Sequence, residues 1–241
     1  FIAKVKDDIK TYTNRLQSGL LLTGLVYIIF SLVIFVFSEP MVLGMATDFN
    51  IVEETVQYIK IESIANIFIF LTQFALVALV SINKSKYLYI LTIMRLLLCF
   101  TLDTLLVSTL PFSLNLGVNG IGYSNIIVNL IIFVVSIHLL SKENVFIFRK
   151  EKLDFSWMKD FFKIGGISGL ESLVRNLAYM IMISRMVNVV GEQGTYWVAN
   201  NFIWGWLLLP VLQLGELIKQ EVAADKENIR RNSLGYFGIT A

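Results

Sequence analysis

One cysteine, one histidine and three prolines are spread over 241 residues. A lone Cys99 can form no disulfide within the chain, and a Cys/His metal cage lacks its ligands. The same shortage removes the nucleophile and base sets that a membrane-embedded enzyme would need. Charge is scarce as well. Asp, Glu, Lys and Arg make up 16% of the chain, against about 25% in an ordinary soluble domain. The net charge of +2 offers no basic surface for a nucleic-acid partner. Strict alternation of apolar and polar residues is missing, which argues against a barrel and for helices. The polar opening at Phe1 does not read as a secretory leader. Both ends read as the cut ends of a longer chain.

What is present is a series of apolar runs of about 20 residues, four of the six uncharged, the length that crosses a bilayer core of about 30 Å. The first runs from Leu20 to Phe37 and is expected to close at Ser38-Glu39-Pro40, since Pro cannot continue the helix. The next are Ser63–Asn83, Tyr87–Leu110, Ile121–Leu140, Gly165–Val190 and Tyr196–Leu214, and a seventh begins at Ser233. The fold class expected is therefore all-α: a polytopic transmembrane helix bundle with six full spans and the start of a seventh. Between spans four and five lies KENVFIFRKEKLDFSWMKDFFK, residues 142–163, with six Lys or Arg.

The charged residues outside the runs alternate in sign and density. The head, the 84–86 loop, the 142–163 bridge and the 216–231 segment hold sixteen Lys and Arg together, and the three remaining loops hold one, Lys60. Basic residues stay in the cytoplasm, so head, bridge and tail are expected on the cytoplasmic side. Shifting the chain by 220 residues places Ala3–Lys10 on Ala223–Arg230 with a similar charge pattern. With the bridge between, this suggests a two-fold repeat. Residues 1–141 then form the last four spans of one half, 142–163 the inter-half linker, and 164–241 the opening of the second half of a twelve-helix protein.

Four segments carry a family resemblance. They are SEPMVLGMATDFNIVEETVQYIKI (38–61), LGVNGIGYSNII (116–127), FFKIGGISGLESL (161–173) and PVLQLGELIKQEVAADKENIRRNSL (210–234). In order and spacing they resemble the multidrug and toxic compound extrusion family. The family's usual Pro is here Gly166, and its Ala-Ala-x-Ala-Thr segment is here Ile121-Gly-Tyr-Ser-Asn125. The resemblance implies a secondary antiporter of the plasma membrane, in which two six-helix halves rock around a central cavity. A proton or Na⁺ gradient would drive export of small organic, often cationic, compounds. It implies no cofactor beyond that coupling ion, a small-molecule substrate, the lipid bilayer as surroundings, and a monomer. The wider superfamily supplies an alternative, a flippase for lipid-linked saccharide precursors, whose anionic cargo would suit intramembrane arginines.

Charges inside a span cost about 2.5–3.5 kcal/mol on insertion scales, so each needs a partner or a wet cavity. Glu171 and Arg175 are four residues apart and share a helix face. They can neutralise each other, or Glu171 can bind a coupling proton or cation beside Arg175. The resemblance implies ion-coupling acids in this helix. Arg95 and Asp103 are about 12 Å apart along one helix, too far for a direct bond. Arg185 and His138 are expected at interfaces. Asn125 and Asn129, four apart, lead the buried amides, with Asn66, Asn176, Asn188, Asn200 and Asn201. Such groups bond between helices or line a polar cavity. Trp204 and Trp206 suit either packing or an aromatic wall for a flat or cationic substrate. The clusters Gly117/Gly120/Gly122 and Gly165/Gly166/Gly169 suit either close helix approach or hinges.

Overall fold

The computed structural model describes residues 8–45, 49–84, 86–148, 153–187 and 193–208, together with 211, 214, 232 and 235. Every regular element among them is helical. In chain order they are α1 (Ile9–Met45), α2 (Val52–Ser81), α3 (Lys86–Leu106), α4 (Gly117–Lys142), α5 (Met158–Val187) and α6 (Gln193–Asn201). A 3₁₀ turn, Phe49–Ile51, precedes α2, and a π-helical stretch, Phe202–Leu207, follows α6. Four helices, α1 to α4, are long and apolar enough to cross a membrane, so the chain is a helical membrane protein. Helix α5 is 30 residues long but carries Asp160, Lys163, Glu171, Arg175 and Arg185, and it does not meet that measure. The chain divides into two compact units, Phe1–Leu177 and Ala178–Ala241.

Several boundaries differ from the sequence expectation: α1 starts at Ile9 rather than Leu20, α5 at Met158 rather than Gly165, and two others differ at Pro40 and at the start of α2. Helix α1 does not close at Pro40 but runs through it to Met45. The fixed φ of proline is itself helical, so the cost is confined to one missing N–H bond and a local crowding of the preceding turn. Ser38 lies in that turn and donates its hydroxyl to the Phe35 carbonyl. Helix α2 starts at Val52, not Ser63, so most of the expected outer loop is helix. Glu53 and Glu54 occupy its first turn, where carboxylates favour the positive end of the helix dipole. The expected spans Tyr87–Leu110 and Ile121–Leu140 coincide with α3 and α4 to within a few residues. In place of one span at Tyr196–Leu214 the chain forms α6 and then the π-helical stretch. The start of a seventh span at Ser233 and the echo segment Ala223–Arg230 lie outside the described residues, Gly235 aside.

The first unit is built by register. Tyr12 Oη donates to Ala78 O at 2.9 Å, Tyr27 stacks on Phe70 at 4.2 Å, and Lys60 sits over the Phe35 ring at 5.8 Å. These pairs run in opposite senses, so α1 and α2 are antiparallel. Helices α2 and α4 run parallel, with Ile61 against Gly122 and Thr72 against Asn129. Helices α3 and α4 are antiparallel, with Leu106 against Gly120 and Tyr87 against Glu143.

The packing face of α4 is a stripe at every fourth residue: Gly120, Ser124, Val128, Ile132, Ser136 and Leu140 are all buried. Small residues on such a stripe let backbones approach, which is how helices associate in lipid. A Cβ on Gly120 would stand 2.9 Å from the Leu106 carbonyl oxygen, and one on Gly122 would stand 2.7 Å from Ile61 Cγ2. These two glycines are therefore contact points rather than hinges.

One end of the unit gathers the tight turns. Helices α2 and α4 finish alike, each in an asparagine with left-handed backbone: Asn83 at φ 61° and Asn144 at φ 62°. In both, the next residue's N–H bonds back five residues, Lys84 to Leu79 O and Val145 to Leu140 O, each at 3.0 Å. These are Schellman closures, in which asparagine replaces the usual glycine. Lys84 Nζ then meets Glu143 Oε2 at 2.8 Å, and Tyr87 Oη donates to Glu143 Oε1 at 3.2 Å. The bond from Lys84 holds the Glu143 carboxyl below the ordinary value of 4.5, and the same bond raises Lys84 above 10.5.

The described parts of the 142–163 bridge dock on α1 at this end. Gln17 Nε2 donates to Phe146 O at 3.0 Å, Asp154 N–H to Asn14 Oδ1 at 2.8 Å, and Trp157 Nε1 to Ser18 Oγ at 3.1 Å.

In the second unit, Trp197 meets Tyr179 and Tyr196 edge-on at 6.2 and 6.0 Å.

Candidate functional site

Helix α2 enters the first unit as a long acidic-to-apolar helix, and Glu62 falls about 15 Å along it. At that depth the opposing helix is α4, and the close seat of Gly122 against Ile61 brings Asn125 of α4 into reach. Asn125 Nδ2 lies 3.2 Å from both carboxylate oxygens of Glu62. One turn further, Asn129 Nδ2 donates to the Asn125 carbonyl at 2.8 Å. The Asn129 side-chain oxygen accepts from Arg95 Nη2 of α3 at 2.9 Å. Thr72 of α2 donates to the Asn129 carbonyl at 2.8 Å and fixes the height of the two helices there.

Arg95, Asn129, Asn125 and Glu62 thus form one polar track across three helices. Every donor in it points from the Arg95 end toward Glu62. The order suits the charges: the cation donates at one end, and the carboxylate accepts at the other. Asn129 is 6% exposed, while Arg95, Asn125 and Glu62 are half-buried. Charge-assisted hydrogen bonds of this kind are stronger than neutral ones. Even so, neither Arg95 nor Glu62 has an ionic partner among the described residues.

The structure brings together three of the sequence-expected site residues, Arg95, Asn125 and Asn129. Asp103 stands exposed near the far end of α3. Glu171, Arg175 and Asn176 project from the exposed surface of α5, and no ion pair joins Glu171 to Arg175. Trp204 lies in the π-helical stretch of the second unit, 57% exposed. Glu62 and Thr72 had no place in the sequence reading. Glu62 directly precedes the apolar run at Ser63 and so falls outside every expected span. Its spacing of four from Asn66 was the available signal, since Asn66 Nδ2 donates to the Glu62 carbonyl within the same helix turn.

The described residues hold no group of three or more His, Cys, Asp or Glu placed to bind a metal ion. A cavity of about 290 Å³ lies toward the end where the bridge docks. Leu16, Gly19, Phe74, Ala78, Trp157 and Phe161 line it, and it is almost wholly apolar. It is separate from the polar track.

No curated protein and no solved structure matches the chain. Residues 6–105 match the family model MatE, a stretch that includes α1, α2, most of α3 and the Glu62 and Arg95 ends of the polar track. Over residues 6–105, about two fifths of its length, the chain is thus similar to the MatE family.

Proposed function

We propose that the protein is an ion-coupled secondary antiporter that exports small organic compounds, often cationic, across the plasma membrane. The observation that carries this reading is the polar track Arg95–Asn129–Asn125–Glu62 inside an otherwise apolar bundle. Polar and charged groups at such depth are costly, and they mark ion and substrate pathways. The coupling ion is a proton or Na⁺, with no other cofactor, and transport rather than catalysis is the activity. The chain works as a monomer in the bilayer, with no nucleic-acid partner. The basic end of the first unit, where Lys84 and the 142–163 linker lie, faces the cytoplasm with head and tail. Residues 1–141 serve as the last four spans of one half and 164–241 as the opening of the other. Glu171, Arg175, Asn176, Asp103 and Trp204 are further candidate coupling or cavity residues, each on its own helix.

The test is transport by the full-length protein in proteoliposomes loaded with an organic cation dye. A proton gradient and then a Na⁺ gradient are imposed. Dye movement that follows one gradient names the coupling ion. Asn129→Leu, which strands Arg95 without its acceptor, is expected to slow that movement on the order of ten-fold or more. Absence of movement under both gradients, in a folded protein, would replace this reading with the second one. That second reading is a flippase for lipid-linked saccharides, and it is favoured by Arg95 having no ionic partner among the described residues.

A further inference from the structure

Two opposite charges lie in the apolar bundle, and among the described residues each is met only by a neutral amide. Arg95 uses one of its five N–H donors, on Asn129 Oδ1 at 2.9 Å. Glu62 receives one amide group, Asn125 Nδ2, shared between its two oxygens at 3.2 Å each. Both side chains are half-buried, so their unused bonding positions are not sealed in the core. The anchoring amides are four residues apart on α4, about 6 Å along its axis. Arg95 reaches α4 from α3 and Glu62 from α2. Both helices pack chiefly on α4 rather than on each other, so the two charges flank it.

We propose that Glu62 and Arg95, with Asn125 and Asn129 between them, recognise a small solute that carries both an ammonium and an anionic group. This rests on the transporter reading and narrows its substrate class. The argument is one of sign. A simple cation gains from Glu62 but is opposed by Arg95. A simple anion gains from Arg95 and is opposed by Glu62. Misplaced like charge is an effective means of rejecting the wrong partner. A solute with both signs satisfies the two ends at once, and it removes the cost of two half-buried charges that lack ionic partners. Asn125 and Asn129 hold the ends apart, so the separation of the solute's two charges is selected as well as their signs. Asn129 is a positioning residue here, because it acts by fixing Arg95.

The experiment is calorimetric titration of the purified full-length protein with no gradient present. The probes are 4-aminobutyrate, 6-aminohexanoate and 8-aminooctanoate, with hexylamine and hexanoate as the single-charge controls. The expected result is that one ω-amino acid binds on the order of ten-fold or more tighter than either control. Glu62→Gln is expected to erase the advantage over hexanoate, and Arg95→Gln the advantage over hexylamine. Glu62→Asp and Arg95→Lys, which keep each charge, are expected to retain it in part. The proposal is overturned if hexylamine binds as well as the ω-amino acids, if none of the probes binds, or if both neutral variants keep the wild-type preference. Binding without gradient-driven movement of the bound ω-amino acid itself, in proteoliposomes, would overturn the antiporter reading alone. Dye export by a protein indifferent to these probes would overturn this inference alone.

Discussion

Helices α4 and α5 are alike on paper and opposite in three dimensions. They span 26 and 30 residues, both open with clustered glycines, and both carry polar residues among long apolar runs. In α4 the glycines touch backbone and side chains of α3 and α2, and every fourth residue is buried. In α5 a Cβ added to Gly166 or Gly169 would meet nothing within 4 Å, and Ile167, Leu170 and Val174 are exposed. The difference lies in the neighbours. A small residue shortens the distance between helices only if a second helix stands opposite it. The same holds for polar groups: Asn125 and Asn129 find Glu62 and Arg95 across an interface, whereas Glu171, Arg175 and Asn176 face outward.

The sharpest break of this contrast comes from the tryptophans. Trp157, 8% exposed and bonded to Ser18, closes the bridge onto α1. Replacing it with alanine is expected to cost about 3–5 kcal/mol, as for other buried aromatics. Trp204→Ala, at a side chain 57% exposed, should change the melting temperature little. Equal losses from the two would remove the distinction between docked and unpartnered regions.

The glycines sharpen it. Gly120→Ala forces a Cβ against the Leu106 carbonyl, a backbone atom that cannot rotate away. Overpacking of this kind costs about 1–3 kcal/mol. Gly166→Ala meets open space and should gain about 0.5–1 kcal/mol from the better helix former. Thermal unfolding of the two single variants decides it, and a loss of stability in Gly166→Ala would mean that α5 has a close neighbour.

The smallest effect belongs to the exposed pair Lys84–Glu143. The Glu143 carboxyl is depressed in the folded state, so its contribution is present above its ordinary value of 4.5 and fades as the pH falls through the lowered one. Lys84 is raised, so its contribution is present below 10.5 and fades as the pH rises through the raised value. Lys84→Ala should therefore lower the melting temperature slightly and evenly between those limits. In strong acid its curve should merge with that of the wild type. A difference that persists there would assign the effect to the Lys84 stem rather than to the ion pair.

Much of the architecture was legible in the chain. Apolar runs announce spans because a charge in lipid is expensive whatever its neighbours. The runs at Tyr87 and Ile121 became α3 and α4 nearly as drawn. The four-residue spacing of Asn125 and Asn129 was equally visible, since it is a property of one helix. Pro40 was misjudged, and Glu62 passed over, for a common reason. Each is a locally unfavourable residue, and its local cost says where a helix would rather stop. It does not say where packing and dipole together carry the helix onward.

By itself, then, the sequence determined the helical class, the polar groups on each helix and their spacing, because these follow from hydrophobic length and the 3.6-residue turn. Tertiary structure alone decided which glycines are contacts, that Asn83 and Asn144 would close two helices, and that Glu62 would face Asn125 while Asn129 takes Arg95. Those choices depend on which helix lies opposite and at what height. One helix's periodicity carries no information about the register of another.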